Sequence, residues 1–284
     1  MSPFLTISLS SRYSVTSVSG NHEDVEDTMK RTISAQSKTI RQRLVRSGPI
    51  SAGPANRQLL ADLVAANRIL AHYGVLDGYG HVSVRHNRDP HRYLLSRSLA
   101  PALVTAADIM EYDLESVPVD VQDRTLYLER FIHGEIYKAR PDVQAVVHNH
   151  SPSVIPFGVT TVPLRPLYHM SAFIGEGAPV FEIRDAGGMT DMLIRTPQLG
   201  HALAQTLGAK AVALMRGHGA VVVGASLPAV VGRSIYLEMN AKLQAQALAL
   251  DPKITYLTTE ETRLADLGDY PRAWDLWKRQ VKVK

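Results

Sequence analysis

The stretch VQAVVHNH, residues 143–150, is apolar and β-branched until it ends in two imidazoles one residue apart. It reads as a strand buried within a sheet. β-Branched side chains fit a pleated surface, and a run without polar alternation leaves no face for water. Such a strand needs neighbouring strands at its edges and helices over its faces. Immediately ahead of it, LYLERFIHGEIYKAR reads as a helix ended by Pro141.

The rest of the chain supplies the other layers. QLLADLVAANRILAHYG carries Leu59, Leu60, Leu63, Val64, Ile69 and Leu70 at helical spacing, with Gly74 as its C′ stop. HVSVRH and RYLLS alternate as two short strands around the turn NRDP, and VFEIRD reads as another short strand. Thr105 and Asp108 form a capping-box-like pair before IMEYDL. Thr196 as N-cap and Pro197 at the first helical position open a helix that runs to Gly208. AVALMRGHGAVVVGA reads as two strands meeting at Gly217–Gly219, followed by a long helix from Ser226 to Leu250 and a terminal helix in RAWDLWKRQV. Interleaved strands and helices predict an α/β layered domain. Residues 1–50 are rich in Ser, Thr and charge with no sustained apolar period, and read as an N-terminal extension, a partly ordered arm. Residues 51–284 are expected to form a single domain.

Composition closes off several classes of chemistry. Of 284 residues, 45% are hydrophobic and 20% charged, the balance of an ordinary globular chain. The net charge of +4 is scattered, apart from Lys30, Arg31, Lys38, Arg41, Arg43 and Arg46, and no nucleic-acid reading motif accompanies it. No nucleic-acid partner is therefore expected. The absence of cysteine excludes disulfides, thiolate catalysis and Cys-based metal sites, and fits a reducing cytosol. No apolar run reaches the ~18 residues of a membrane helix. MSPFLTISLSSRYSV lacks the charged and apolar regions of a signal peptide, so a cytoplasmic location without a membrane partner is expected. Metal chemistry in this chain has to use imidazole, carboxylate and water.

His148 and His150 lie two apart along the predicted strand, so both point to one face. They read either as metal ligands or as histidines satisfied by carbonyls at a strand end. His218 sits in RGHG, where flanking glycines let backbone approach a ligand closely. Three imidazoles with an open fourth position are what a catalytic divalent metal needs. Glu129 and His133 are four apart on the preceding helix and share a face, as a surface pair or as groups serving a site. A carboxylate near a dication is either a ligand or a proton-transfer group. Tyr168 and His169 in PLYHMSAF, Tyr236 and the Gly-Gly turn of EIRDAGGMTD read as packing, interface or loop positions.

The ordered set LERFIHGEIY, VQAVVHNHSP and LMRGHGAVVVG resembles the class II aldolase/adducin family over residues 58–250. The resemblance implies a class II aldolase-like fold, with a central mixed or antiparallel sheet flanked by helices. It implies that His148, His150 and His218 bind the metal and that Glu129 is the acid/base glutamate. Two blocks depart from the sugar-phosphate aldolases. In GYGHVSVRHN, His81 stands at the position of a substrate-binding asparagine, and in LSRSLAPALV, Arg97 appears while a glycine is missing. A phosphate cradle depends on glycine-rich backbone N–H groups. An arginine fork instead matches a carboxylate, and a histidine adds a titratable group.

GHVSVR, SRSLAPALV and FIHGEIY together resemble a decarboxylase branch of this family, which acts on dihydroxyphthalate or 3-hydroxy-2-methylpyridine-4,5-dicarboxylate. The expectation is a metal-dependent decarboxylase in which the metal stabilises an enolate-like intermediate and Glu129 or His81 protonates it. Arg97, Ser96 and Ser98 would bind substrate. The alternatives are an aldolase or epimerase acting on a sugar phosphate or keto acid, and a non-catalytic adducin-like interaction module. The metal is expected to be Mn2+ or Zn2+, with imidazole ligands also suiting Fe2+ and Co2+. The resemblance further implies a homo-oligomer, commonly a tetramer.

Overall fold

The computed structural model describes residues 48–281. The N-terminal arm and its basic cluster fall outside the described residues, except for the last three positions of the arm.

Helix α1 (Arg57–His72) starts where the Asn56 side chain accepts from the Gln58 N–H at 2.7 Å. It stops before Gly74, whose φ of +68° suits the residue that leaves a helix. Strands β1 (His81–Arg85) and β2 (Arg92–Ser96) form the expected antiparallel pair. The Thr105–Asp108 capping box is present, but it closes only a single 3-10 turn. IMEYD then continues as strand β3 (Ile109–Asp113), because Met110 and Tyr112 turn inward at a period of two.

The segment LYLER also departs from the helix expected there. Leu128–Arg130 is a separate 3-10 turn, kinked at Glu129, and helix α2 (Phe131–Ala139) begins only afterwards. Strand β4 (Ala145–Asn149) and the short helix α3 (Ile155–Val159) follow. VFEIRD is strand only over β5 (Val180–Phe181). The Glu182 side chain then accepts from the Arg184 N–H and turns the chain into helix α4 (Ile183–Gly187). Helix α5 (Pro197–Leu207) has the predicted Thr196 cap. Strands β6 (Val212–Met215) and β7 (Gly219–Gly224) precede the long helix α6 (Leu227–Leu250), and α7 (Thr259–Ala265) and α8 (Pro271–Gln280) complete the chain. No helix among the described residues is long and apolar enough to cross a membrane.

The strands form one mixed sheet in the order β3-β2-β1-β4-β7-β6-β5, antiparallel except for the β5–β6 pair. Period-two alternation sorts its side chains into two cores. Val82, Val84, Val147 and Val222 pack with α1, α6 and α8 on one face. Val146, Val221, Val223 and Leu95 pack with α2 and α5 on the other. Each fully buried valine contributes about 1.5–3 kcal/mol of hydrophobic stabilisation. Strand β4 is therefore central in both directions, between β1 and β7 and between two helical layers. Register places His148 opposite His81 on one side and Val221 on the other.

Candidate metal centre

Three pieces of backbone meet at the C-terminal end of β4. The strand itself brings His148 and, one residue past its end, His150. The β6–β7 turn brings His218, with Gly217 at a φ of +64° making the bend. A side chain at Gly219 would collide with the Asn149 carbonyl, so glycine there lets the turn press against the end of β4. The kinked 3-10 turn brings Glu129. One ligand-capable atom from each of Glu129, His148, His150 and His218 lies within 4.8 Å of all the others.

The hydrogen bonds of the three imidazoles fix which nitrogen faces inward. His148 Nδ1 lies 3.2 Å from the Ala220 carbonyl, and His218 Nδ1 lies 3.0 Å from the Met192 carbonyl. A carbonyl only accepts, so both Nδ1 atoms carry the hydrogen. His150 Nδ1 is 3.0 Å from the Asp77 carboxylate, which imposes the same tautomer. Each ring, when neutral, thus presents a bare Nε2. The Nε2 atoms of His150 and His218 are 3.1 Å apart, and that of His148 is buried without a directed hydrogen bond. Two facing lone pairs and a third orphaned one repel unless a cation sits among them. Three imidazoles and one carboxylate suit a divalent transition metal. Carbonyls satisfy one nitrogen on each of two rings, as in an ordinary core histidine, whereas the inward nitrogens of His148 and His218 face the Glu129 carboxylate at 3.4 and 3.5 Å.

Glu129 completes the set. Its Oε1 accepts from the Ile194 N–H at 2.9 Å, while Oε2 stands 3.4 Å from His148 Nε2 and 3.5 Å from His218 Nε2. Burial alone would raise this carboxyl, but His148, His218 and the Ile194 N–H outweigh it and hold it at about 2. Burial and the neighbouring His148 push the His218 imidazole down to about 4. Glu129 does not share a helix face with His133 as the spacing suggests. The kink separates them, and His133 faces His81 and Ser83 instead.

His81 borders the cluster without joining it. Its ring lies 5.1 Å from the ring of His148 and 4.5 Å from that of Tyr127. Burial and then the surrounding imidazoles, His133 foremost, push it well below its ordinary range. Ser96 is buried with Oγ 3.3 Å from the Tyr127 hydroxyl, which donates to the Leu99 carbonyl. Ser96 is thereby brought next to His81 through one ring. Arg97 is half-buried, and its Nε donates to Asp108 at 2.6 Å, so one edge of the guanidinium is already occupied. Ser98 is exposed and pairs through its backbone with Thr125. Tyr236 packs against Tyr270 and Trp277.

Several residues at the site have no sequence signature. Asp77 holds His150 from 73 positions away, and Tyr127 supports His81 from a segment without regular structure. The loop after α4, read from sequence as a simple turn, supplies the Met192 carbonyl and the Ile194 N–H. The one available signal was local. Asp-Gly at 77–78 marks a turn just before the strand that begins at His81.

Comparison with known proteins agrees with this geometry. Residues 61–245 match the Class II Aldolase and Adducin N-terminal domain. The chain is 37% identical over 246 residues to the decarboxylase tropJ of Talaromyces stipitatus, covering 78% of this chain and 92% of that protein. It is 30% identical over 241 residues to a 3,4-dihydroxyphthalate decarboxylase of Terrabacter sp., covering 80% and 96%. Among solved structures, L-fuculose 1-phosphate aldolase from Glaciozyma antarctica superposes with a TM-score of 0.65 at 23% identity, over 81% of this chain and 94% of that one, a likeness of fold. With the histidines and glutamate on the elements described, the chain belongs to the class II aldolase/adducin family, in the branch whose named relatives are decarboxylases of aromatic compounds.

Proposed function

We propose that the protein is a metal-dependent carbon–carbon lyase that decarboxylates a small hydroxylated aromatic or pyridine dicarboxylate. The observation that carries this reading is the convergence of three bare Nε2 atoms and the Glu129 carboxylate, with a fourth imidazole, His81, alongside. His148, His150 and His218 would hold the metal, with Mn2+ or Zn2+ favoured. The bound cation supplies Lewis-acid stabilisation of negative charge developing on a substrate oxygen, an effect of several kcal/mol. Loss of CO2 leaves an electron pair on the ring carbon, and a proton must return there, delivered either by Glu129 after it has taken the proton of the substrate hydroxyl or by His81. Arg97 keeps one guanidinium edge for a substrate carboxylate while Asp108 orients the other, with Ser96 and Ser98 on the same segment. Relatives named as decarboxylases support this branch over the aldolase one. The protein is further proposed to work as a homo-oligomer.

The deciding experiment is a CO2-release screen on hydroxylated aromatic dicarboxylates with added Mn2+, Zn2+ or Co2+. The expected result is metal-dependent release that His148→Ala abolishes along with the bound metal. Silence across the panel with cleavage of a sugar phosphate would replace this reading by an aldolase. A chain that binds no metal and turns over nothing would point to an interaction module.

A further inference from the structure

Behind His81 runs a file of buried hydrogen-bonding groups. Tyr137 Oη is 2.8 Å from Ser83 Oγ, Ser83 Oγ is 2.6 Å from His133 Nδ1, and His133 Nε2 is 2.7 Å from His81 Nδ1. None of the four residues is more than 1% exposed. Register explains the alignment. His81 and Ser83 alternate onto one face of β1, and His133 and Tyr137 are one helical turn apart on α2 above it.

Hydrogens can order along such a file in two directions, and Tyr137 decides between them. Among the described residues, Ser83 Oγ is the only acceptor that the Tyr137 hydroxyl meets, since the Val146 backbone on its other side can only donate to it. If every group donated towards Tyr137, its own O–H would be buried without an acceptor, at a cost of about 1–3 kcal/mol. In the opposite order the hydrogens of Tyr137, Ser83 and His133 all meet acceptors, and the one left over is on His81. Tyr137 donates to Ser83, Ser83 to His133 Nδ1, and the remaining His133 N–H to His81 Nδ1. The single hydrogen of His81 is then on Nε2. This inverts the arrangement of the other three imidazoles, whose Nδ1 atoms all face acceptors and whose Nε2 atoms are bare.

We propose that Tyr137, Ser83 and His133 fix His81 as its Nε2–H tautomer, which makes His81 a hydrogen-bond donor to substrate instead of a fourth imidazole ligand. The three residues are positioning residues, since they act through His81. The substrate part rests on the decarboxylase reading; the tautomer does not. The file thus divides four adjacent imidazoles into two chemical roles by what each Nδ1 meets.

The test is long-range 1H–15N spectroscopy of the full-length, zinc-loaded protein labelled at histidine nitrogens, with His81 assigned by its loss in His81→Gln. His81 is expected to carry hydrogen on Nε2 and none on Nδ1. Ser83→Ala, which removes the donor to His133 Nδ1, is expected to give mixed His81 tautomers. It should lower kcat for CO2 release about tenfold, with KM and bound zinc retained. His133→Gln, whose amide can still donate to His81, is expected to keep the tautomer, and His133→Phe to lose it. Hydrogen on Nδ1 in the unmodified protein overturns the proposal, as does an unchanged tautomer in both Ser83→Ala and His133→Phe. The spectra need no substrate. If they show the expected tautomer while no dicarboxylate loses CO2, the decarboxylase reading falls and the tautomer assignment stands.

Discussion

Each candidate ligand is held at Nδ1 by a different acceptor, and only that of His150 carries a charge. Asp77 also accepts from the N–H groups of Tyr79 and Gly80, which fix the carboxylate in place. Partial burial raises its carboxyl, but His150 and those two N–H groups outweigh it and hold it below its ordinary value. Asp77→Asn keeps an oxygen for the two N–H groups but loses the charge behind His150. Zinc affinity should fall about tenfold or more in competition with a chromophoric chelator; an unchanged affinity would show that Asp77 does not orient the ligand. His133 allows a second prediction at this scale. Burial and His148 push it down to about 3, so the folded state keeps it neutral where the unfolded chain binds a proton. The unfolded state therefore binds more protons from pH 6.5 downward, and stability falls as pH falls through that window. The slope approaches about 1.4 kcal/mol per pH unit for this one group. Urea midpoints between pH 7 and 4.5 should drop more steeply for the unmodified protein than for His133→Gln. The candidate ligands stood out in the sequence because imidazole is out of place at the end of a valine run or between two glycines. Asp77 and Tyr127 did not, because an aspartate in a turn or a tyrosine in a loop is unremarkable until the fold brings it to its partner.

The elements legible in the sequence were those with strong local causes. Thr196 and Pro197 start α5, Gly74 and Gly208 follow the ends of α1 and α5, and valine runs made β4 and β7. Misread segments were those where a short side-chain bond competes with the pattern. Glu182 caps a helical turn inside an apparent strand, and the Thr105–Asp108 box closes one turn before a real strand. The kink at Glu129 belongs to the same class, and it is what aims the carboxylate at the histidines while α2 carries His133 elsewhere. The β6–β7 turn is the most exacting element. A methyl at Gly219 has no flexible neighbour to displace, only the Asn149 carbonyl and the His150 backbone. Gly219→Ala should cost about 3 kcal/mol, the upper part of the overpacking range. In a protein of this size that lowers Tm by about 6–12 °C. Because the displaced turn carries His218, zinc affinity should fall with it. A variant with unchanged Tm and unchanged affinity would mean that the turn does not rest on β4.

At the scale of the whole molecule, the centre joins parts of the chain that lie far apart in sequence. Residues from the 3-10 turn before α2, the end of β4, the β6–β7 turn and the loop after α4 all converge there, from Glu129 to His218. That convergence sets the inward nitrogens of His150 and His218 3.1 Å apart, so that with both rings neutral and held at Nδ1 they repel unless a cation lies between them. A ligand that binds only the folded state stabilises it by mass action, by about 2.7 kcal/mol when its free concentration is a hundred times Kd. Removing the metal with a chelator should therefore lower Tm by about 5–10 °C, and adding Zn2+ back should restore it. The control is internal to the protein. His148→Ala should abolish the zinc-dependent shift because it deletes one of three ligands, whereas Arg97→Ala should keep the shift while raising KM for a dicarboxylate. A shift that survives in His148→Ala would place the stabilising zinc somewhere other than the end of β4. A shift lost in His148→Ala and kept in Arg97→Ala would separate the residues that hold the metal from the one that meets the substrate.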